Sequence, residues 1–194
     1  MSKELVRCGW CLQDPIYIDY HDHEWGRPLH DDQRLFEMLL LEGAQAGLSW
    51  IQILKRREAY RQAFDHFDAE KISRYGVRKR QQLLINVGII RNKLKVEAFI
   101  TNAQKYLDVV ATHGSFDKYI WQFTEHRTID RRPGSLAQVP AITKESDAMS
   151  KDLKKHGFKF VGSTICYAYM QACGMVNDHI ADCFVRSGQG WRSK

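Results

Sequence analysis

The sequence has no apolar stretch approaching the roughly 20 residues that a membrane helix needs, which excludes a helical membrane protein. Its first residues, Met1-Ser2-Lys3-Glu4-Leu5-Val6-Arg7, lack the hydrophobic run at the centre of a signal peptide, so a cytoplasmic protein is expected. Cysteine is scarce. The five present (Cys8, Cys11, Cys166, Cys173, Cys183), without an export signal, argue against a disulfide framework and for buried thiols or metal ligands. Alternating apolar–polar runs are few and internal repeats are absent, so the expected class is all-α. Acidic residues are outnumbered, 23 against 29 Lys and Arg, and the net charge of +6 suits a polyanion such as nucleic acid without requiring one. A chain of 194 residues fits one domain or two tightly joined lobes and can bury a proper core.

What is present is concentrated in a few places. Residues 8–30 are rich in aromatics and His (Trp10, Tyr17, Tyr20, His21, His23, Trp25, His30). Pro15 and Gly26-Arg27-Pro28 argue for a loop-like arm there, with Ile16–Tyr20 as a short extended run at most. Asp31 or Asp32 then caps a helix with Leu35, Phe36, Leu39 and Leu40 at helical spacing. That helix delivers Glu42 at its C-terminal end, where the macrodipole disfavours an anion. The stretch Leu41–Trp50 holds this carboxylate, Gly43, Gly47, Leu48 and Trp50, more than a plain turn needs. Ser49-x-x-Gln52 reads as a capping box for a helix carrying Trp50, Ile51, Leu54 and Tyr60. Further helices are expected over 69–75, up to about Asn86, from about Arg91 to Ala111, and over 116–123, 147–156 and 163–174. Residues 127–146 read as a surface loop, and 186–194 as a frayed tail.

Three constellations carry chemistry. His179-x-x-x-Cys183 places an imidazole and a thiol four residues apart, on one face if the segment is helical, a spacing suited to two ligands of a tetrahedral zinc. The other ligands would come from Cys8, Cys11, His21 and His23, and spacing alone favours Cys8-x-x-Cys11; buried thiols with surface imidazoles are the plainer alternative. The turn Val87-Gly88-Ile89-Ile90-Arg91-x-Lys93 resembles a helix–hairpin–helix. Gly88 permits positive φ, the next helix N-terminus is open to a phosphate, and Arg91, Lys93 and Lys95 add charge. A plain helical corner would look the same. A second basic stretch, Lys151 to Lys159, is another phosphate-facing edge or an ordinary solvated helix face.

Several blocks in one order, Cys8-Gly9-Trp10, Tyr20-His21-Asp22-x-Glu24-Trp25-Gly26, Leu41-Glu42-Gly43-x-Gln45-Ala46-Gly47-Leu48-Ser49-Trp50, Gly88-Ile89-Ile90-Arg91 and Lys154–Gly162 through Val176-Asn177-Asp178-His179, resemble the bacterial 3-methyladenine DNA glycosylase I family. The resemblance runs from about Cys8 to Cys183. It implies a compact all-α helix–hairpin–helix glycosylase fold, with a structural Zn²⁺ on Cys8, His21, His179 and Cys183. Cys11 would then be a non-ligand thiol near the metal. It implies a single domain of two lobes: roughly 31–163, with the hairpin at about 78–111, and roughly 1–30 plus 164–194, stapled by zinc.

By the same resemblance Glu42 is the carboxylate of the base pocket and Tyr20 and Trp50 hold the base, with Trp10 and Trp25 around them. Gly47 and Leu48 approach the gap left in the duplex, and Gly88, Arg91, Lys93 and Lys159 contact DNA. The implied partner is double-stranded DNA containing alkylated adenine, acted on by a monomer. The implied activity is monofunctional release of 3-methyladenine, leaving an abasic site. The resemblance implies no counterpart of the catalytic Asp common among relatives of this fold; Asp178 and Asp182 lie beside the metal ligands and read as supporting or surface residues. Such residues suit the chemistry, because N3-methylation makes adenine a cation and a good leaving group. Rings around a flipped cation contribute cation–π attraction of about 0.5–2 kcal/mol each when desolvated. The alternative is a zinc-containing helical DNA-binding or damage-sensing module without catalysis.

Overall fold

The computed structural model describes residues 5–186 and is mostly helical. Its first helix, α1 (Pro15–His23), replaces the expected loop-like arm. Asp14 accepts a hydrogen bond from the Ile16 amide and Pro15 occupies the first helical position, where its missing N–H costs nothing. That Asp-Pro start outweighs the strand-like look of Ile16–Tyr20, and the helix turns Tyr20, His21 and Asp22 inward.

Helix α2 (Asp32–Gln45) is capped by Asp31, which accepts from the Arg34 amide at 2.9 Å. It is buried nearly all round, through Leu35, Phe36, Met38, Leu39, Leu40 and Leu41, as a central helix must be. It packs against α7 (Lys93–His113), α8 (Phe116–Trp121) and α10 (Ser163–Ala172). Gly47 then takes φ +75°, turning the chain into α3 (Trp50–Leu54). Ser49 holds the N-cap position in an extended conformation, but its side chain makes no capping bond, so the expected capping box does not form. The chain breaks again before α4 (Arg57–Ala63), so Tyr60 stands on a separate helix from Trp50.

Beyond α5 (Ala69–Ser73), α6 (Val77–Ile85) and α7 form a tight helical hairpin. Asn86 Oδ1 accepts from the Gly88 amide at 2.8 Å, the Ile90 amide donates to the Tyr60 hydroxyl, and Asn92 caps α7 by accepting from the Lys95 amide. Gly88 is not at positive φ, contrary to expectation. A Cβ there would lie 2.9 Å from the Ala59 Cβ, so glycine is needed for close approach of the turn to α4.

Helix α9 (Lys144–Lys155) starts earlier than the sequence suggests, because Thr143 and Ser146 form a reciprocal capping box. Residues 127–146 are more than a surface loop. Ile129–Asp130 pairs in parallel with Val176–Asn177, and the Ala181 amide donates to the Pro133 carbonyl. The segment from His179 to Cys183 is a turn rather than a helix. Arg186 is anchored to the His179 carbonyl and Asp130, so it does not belong to a frayed tail; the rest of that expected tail, 187–194, lies outside the described residues.

Candidate active site and metal centre

A cavity of about 400 Å³ opens between α1, α2, α3 and α10. Its wall includes Trp10, Tyr20, Trp25, Glu42 and Trp50, so the structure brings together every residue expected at the base pocket. Helix α1 supplies Tyr20, the last turns of α2 supply Glu42, and the N-terminus of α3 supplies Trp50. The Tyr20 and Trp50 rings sit 5.6 Å apart, while Trp10 meets Tyr17 and Trp25 edge-on, each at 5.1 Å.

Glu42 is only 3% exposed, and its Oε2 has no hydrogen-bond partner in the protein. Burial pushes its carboxyl up to about 8, since charge is disfavoured away from water. The indole Nε1 of Trp50 is likewise buried without a partner. Native proteins leave few such atoms, because each costs on the order of 1–3 kcal/mol. Both atoms belong to residues on the wall of one aromatic-lined cavity, an arrangement suited to a flat, polar-edged, cationic guest.

Sequence reading missed other wall residues. Tyr17 lies one turn before Tyr20 on α1 and Gln45 one turn after Glu42 on α2, so correct helix assignment at α1 would have shown Tyr17. Ala168 and Gln171 come from α10, and Leu136 and Val139 from the 127–146 segment, where no local signal marks them. Asp178 also lines the cavity and is buried, which corrects its reading as a supporting or surface residue. Its Oδ2 accepts from the Tyr167 hydroxyl at 2.5 Å and from Gln171 Nε2 at 2.8 Å, while its Oδ1 is unpartnered. Asp182 is exposed, as expected of a surface residue.

Beside the cavity, Cys8, His21, His179 and Cys183 converge, all buried, with their donor atoms within 4.8 Å of one another. Cys8 Sγ lies 3.7 Å from His179 Nδ1, and Cys183 Sγ lies 3.5 Å from both His179 Nδ1 and His21 Nε2. A tetrahedral zinc holds neighbouring sulfur and nitrogen donors roughly 3.6 Å apart, so the four fit such an ion. The outer ring nitrogens are also engaged: His21 Nδ1 with Asp22 at 2.8 Å and His179 Nε2 with the Trp25 carbonyl at 3.1 Å. Those contacts direct Nε2 and Nδ1, respectively, toward the cluster. Cys11 is outside it, its thiol donating to the Cys8 carbonyl at 3.1 Å, and His23 is exposed on Asp19, so the pair favoured by spacing is corrected. Trp25 packs 4.6 Å from His179 and Trp10 packs 5.4 Å from His21, so cavity and cluster share two walls.

The residues expected to meet DNA are at the surface. Gly47 and Leu48 project from the turn after α2, Arg91 and Lys93 from the hairpin with Gly88 half-buried in its turn, and Lys159 from the segment before α10. Lys95 is a correction. It is buried, and its Nζ donates to the Ala44 and Ala46 carbonyls, so it cannot face a phosphate. His156 turns inward to Asp152 and Tyr119, leaving the lysines of α9 as the exposed basic edge.

Residues 10–186 match the family model described as Methyladenine glycosylase. The chain is 50% identical over 179 residues to DNA-3-methyladenine glycosylase 1 of Escherichia coli (strain K12), covering 92% of this chain and 96% of that protein. It is 48% identical to the DNA-3-methyladenine glycosylase of Haemophilus influenzae, with 92% and 96% covered. Its fold superposes on a crystal structure of 3-methyladenine DNA glycosylase I with a TM-score of 0.90 at 50% identity, covering 92% of this chain and 98% of that one. A structure from Staphylococcus aureus, solved to explain 3-methyladenine recognition, gives 0.89 at 36% identity, covering 91% and 94%. With the family model and relatives of this identity spanning nearly its whole length, the chain belongs to the methyladenine glycosylase family.

Proposed function

We infer that the cavity receives 3-methyladenine turned out of alkylated DNA, and that the chain is a monofunctional DNA-3-methyladenine glycosylase. It hydrolyses the N-glycosidic bond and releases the free base, leaving an abasic site. The observation that carries this reading is the buried, unpartnered Glu42 Oε2 among Tyr20, Trp50, Trp10 and Trp25. An N3-methylated adenine is cationic and neutral adenine is not, so this carboxylate favours the damaged base by charge while the rings supply cation–π attraction. Glu42 accepts from the base and, as the bond breaks, its charge opposes the positive charge moving to the sugar.

The duplex would lie across the helix–hairpin–helix, with Gly88 closing the turn, Arg91 and Lys93 on phosphates, Lys159 on the far side of the lesion, and Gly47-Leu48 entering the gap. One structural Zn²⁺ on Cys8, His21, His179 and Cys183 would staple the N-terminal arm to the segment after α10, completing the smaller of two lobes in a monomer; residues 1–4 and 187–194 of the expected lobe lie outside the described residues. A cytoplasmic setting, where bacterial DNA is found, fits this role. No helix among the described residues is long and apolar enough to cross a membrane.

The test is incubation of the zinc-replete protein with dimethyl-sulfate-treated duplex, followed by chromatography of the small-molecule fraction. Free 3-methyladenine is the expected product. DNA binding without any released base would instead establish a non-catalytic damage-sensing module.

A further inference from the structure

Lys95 occupies a position that its own helix does not explain. It lies in the first turn of α7, where the macrodipole disfavours a cation, and it is only 7% exposed despite its charge. Its ammonium donates to the Ala44 carbonyl at 2.7 Å and to the Ala46 carbonyl at 2.8 Å. Those carbonyls end α2, the helix of Glu42, whose last turn carries no basic residue of its own. A lysine at the wrong end of its own helix is therefore at the favourable end of another.

The two carbonyls also frame the turn that presents Leu48. Ala46 is the C-cap residue, Gly47 follows at φ +75°, and Leu48 is 37% exposed, with its amide donating to Gln45. At the other end of the same side chain, the Lys95 amide is held by Asn92, the cap of the hairpin helix. A single residue thus bridges the hairpin and the Leu48 turn. Two turns further along α7, Asn102 does the same for a third exposed segment: its Oδ1 accepts from the Lys159 amide at 2.7 Å and its Nδ2 donates to the Lys159 carbonyl. Phe160, at a strained φ of +55°, then packs on Gly43 of α2, where an added Cβ would lie 3.3 Å from its own.

We propose that Lys95 is a positioning residue that fixes the Leu48 turn and the Glu42 helix at a set offset from the DNA-gripping hairpin, so that seating the hairpin places the wedge and the pocket opposite the lesion. Three exposed segments that would otherwise move separately are referred to one helix, α7. A buried ammonium with two carbonyl acceptors suits that task, because breaking the pair leaves two acceptors and a charge uncompensated together. Lys95 acts through the Ala44–Ala46 backbone and touches neither base nor phosphate. The inference rests on the reading of Leu48 and the hairpin as DNA contacts.

The test compares Lys95→Met, Lys95→Arg and Leu48→Ala with the parent protein in three measurements. These are binding of free 3-methyladenine by quenching of indole fluorescence, affinity for undamaged duplex, and base flipping, read from a 2-aminopurine beside the lesion together with single-turnover release. Lys95→Met is expected to bind the free base and undamaged duplex within about twofold of the parent, yet to lose about tenfold to a hundredfold in flipping and release, since a misplacement of about 1 Å can cost about a hundredfold. Lys95→Arg, which keeps charge and donors, should recover most of the loss. A variant merely less stable would lose free-base binding in step with release, and that outcome overturns the proposal, as does normal flipping in Lys95→Met when Leu48→Ala is defective. Normal flipping in Leu48→Ala removes the contact reading itself, and this inference with it.

Discussion

Glu42 and Trp50 line the same cavity, and a polar atom of each, Oε2 and Nε1, is buried without a hydrogen-bond partner. On the proposed reading, a bound base supplies the partners that both atoms lack. Glu42→Gln keeps the shape and removes the charge. Base release from methylated duplex should fall by about a hundredfold, the scale seen when a preorganised charge-stabilising group is lost. Affinity for undamaged duplex should stay unchanged. Single-turnover chromatography and a gel-shift assay measure the two quantities, and equal turnover in the variant would remove Glu42 from the chemistry.

The same carboxyl predicts a pH dependence with a definite sign. Burial raises Glu42 from 4.5 unfolded to about 8 folded, so the native state holds the extra proton between those values. Its contribution to stability is complete below 4.5 and is lost as pH rises through 8, at about 1.4 kcal/mol per unit. Denaturant melts of the parent across that window should lose stability relative to Glu42→Gln. Activity runs the other way. The ionised form recognises the cation, so kcat/KM should rise with pH to about 8 and then level off, a rise missing in Glu42→Gln.

The Cys/His cluster includes Cys8 and Cys183 but leaves out Cys11, three residues after Cys8. The proposed zinc on Cys8, His21, His179 and Cys183 predicts that Cys183→Ser lacks the metal in elemental analysis and melts roughly 10 °C or more below the parent, because metal binding is coupled to folding. Cys11→Ser should retain one zinc per chain, since its thiol bonds to the Cys8 carbonyl and lies outside the cluster. Free-base binding in Cys183→Ser should weaken less than stability, by the amount that Trp10 and Trp25 shift when His21 and His179 lose their anchor.

How much of this could be read from residues depends on how local the signal was. Helix α2 is legible in its aspartate cap and apolar spacing, and the hairpin in Gly88 between apolar flanks with Arg91 and Lys93 after it; the capping roles of Asn86 and Asn92 emerge only in the structure. Helix α1 is not. Pro15 reads as a loop signal beside Gly26-Arg27-Pro28, whereas the fold uses Asp14-Pro15 as a helix start that carries Tyr17 to the cavity. Leu136, Val139 and Gln171 reach the cavity only through pairing of Ile129–Asp130 with Val176–Asn177 and packing of α10, contacts between distant parts of the chain with no periodic signature. Lys95 misled for a different reason: a basic residue among Arg91 and Lys93 looks like a phosphate contact until the fold supplies two carbonyls for it.

Arg91, by contrast, is exposed at the hairpin. Arg91→Ala should weaken binding to damaged and undamaged duplex alike, by a similar factor. It should also reduce the slope of log affinity against log salt by about one contact, the signature of a lost phosphate ion pair. Titrations at several salt concentrations measure it. A slope equal to the parent's would place the phosphate grip elsewhere, and Lys159→Ala gives the matching comparison on the opposite flank.

The hairpin's position on the body of the protein depends on Gly88 in a way that can be tested without DNA. The glycine is not there for a left-handed turn; it is there because the Ala59 methyl occupies the space a side chain would need, 2.9 Å from an added Cβ. Gly88→Ala forces α4 and the turn apart, at a cost of about 1–3 kcal/mol for overpacking. It should also stretch the bond between the Ile90 amide and the Tyr60 hydroxyl, since Tyr60 follows Ala59 on the same helix. Adding Ala59→Gly removes the opposing methyl. The double variant should recover most of the stability, less the helix cost of a new glycine of up to about 1 kcal/mol. A Gly88→Ala protein as stable as the parent would show that the turn has room to spare, whereas recovery in the double variant would locate the constraint in that single methyl contact.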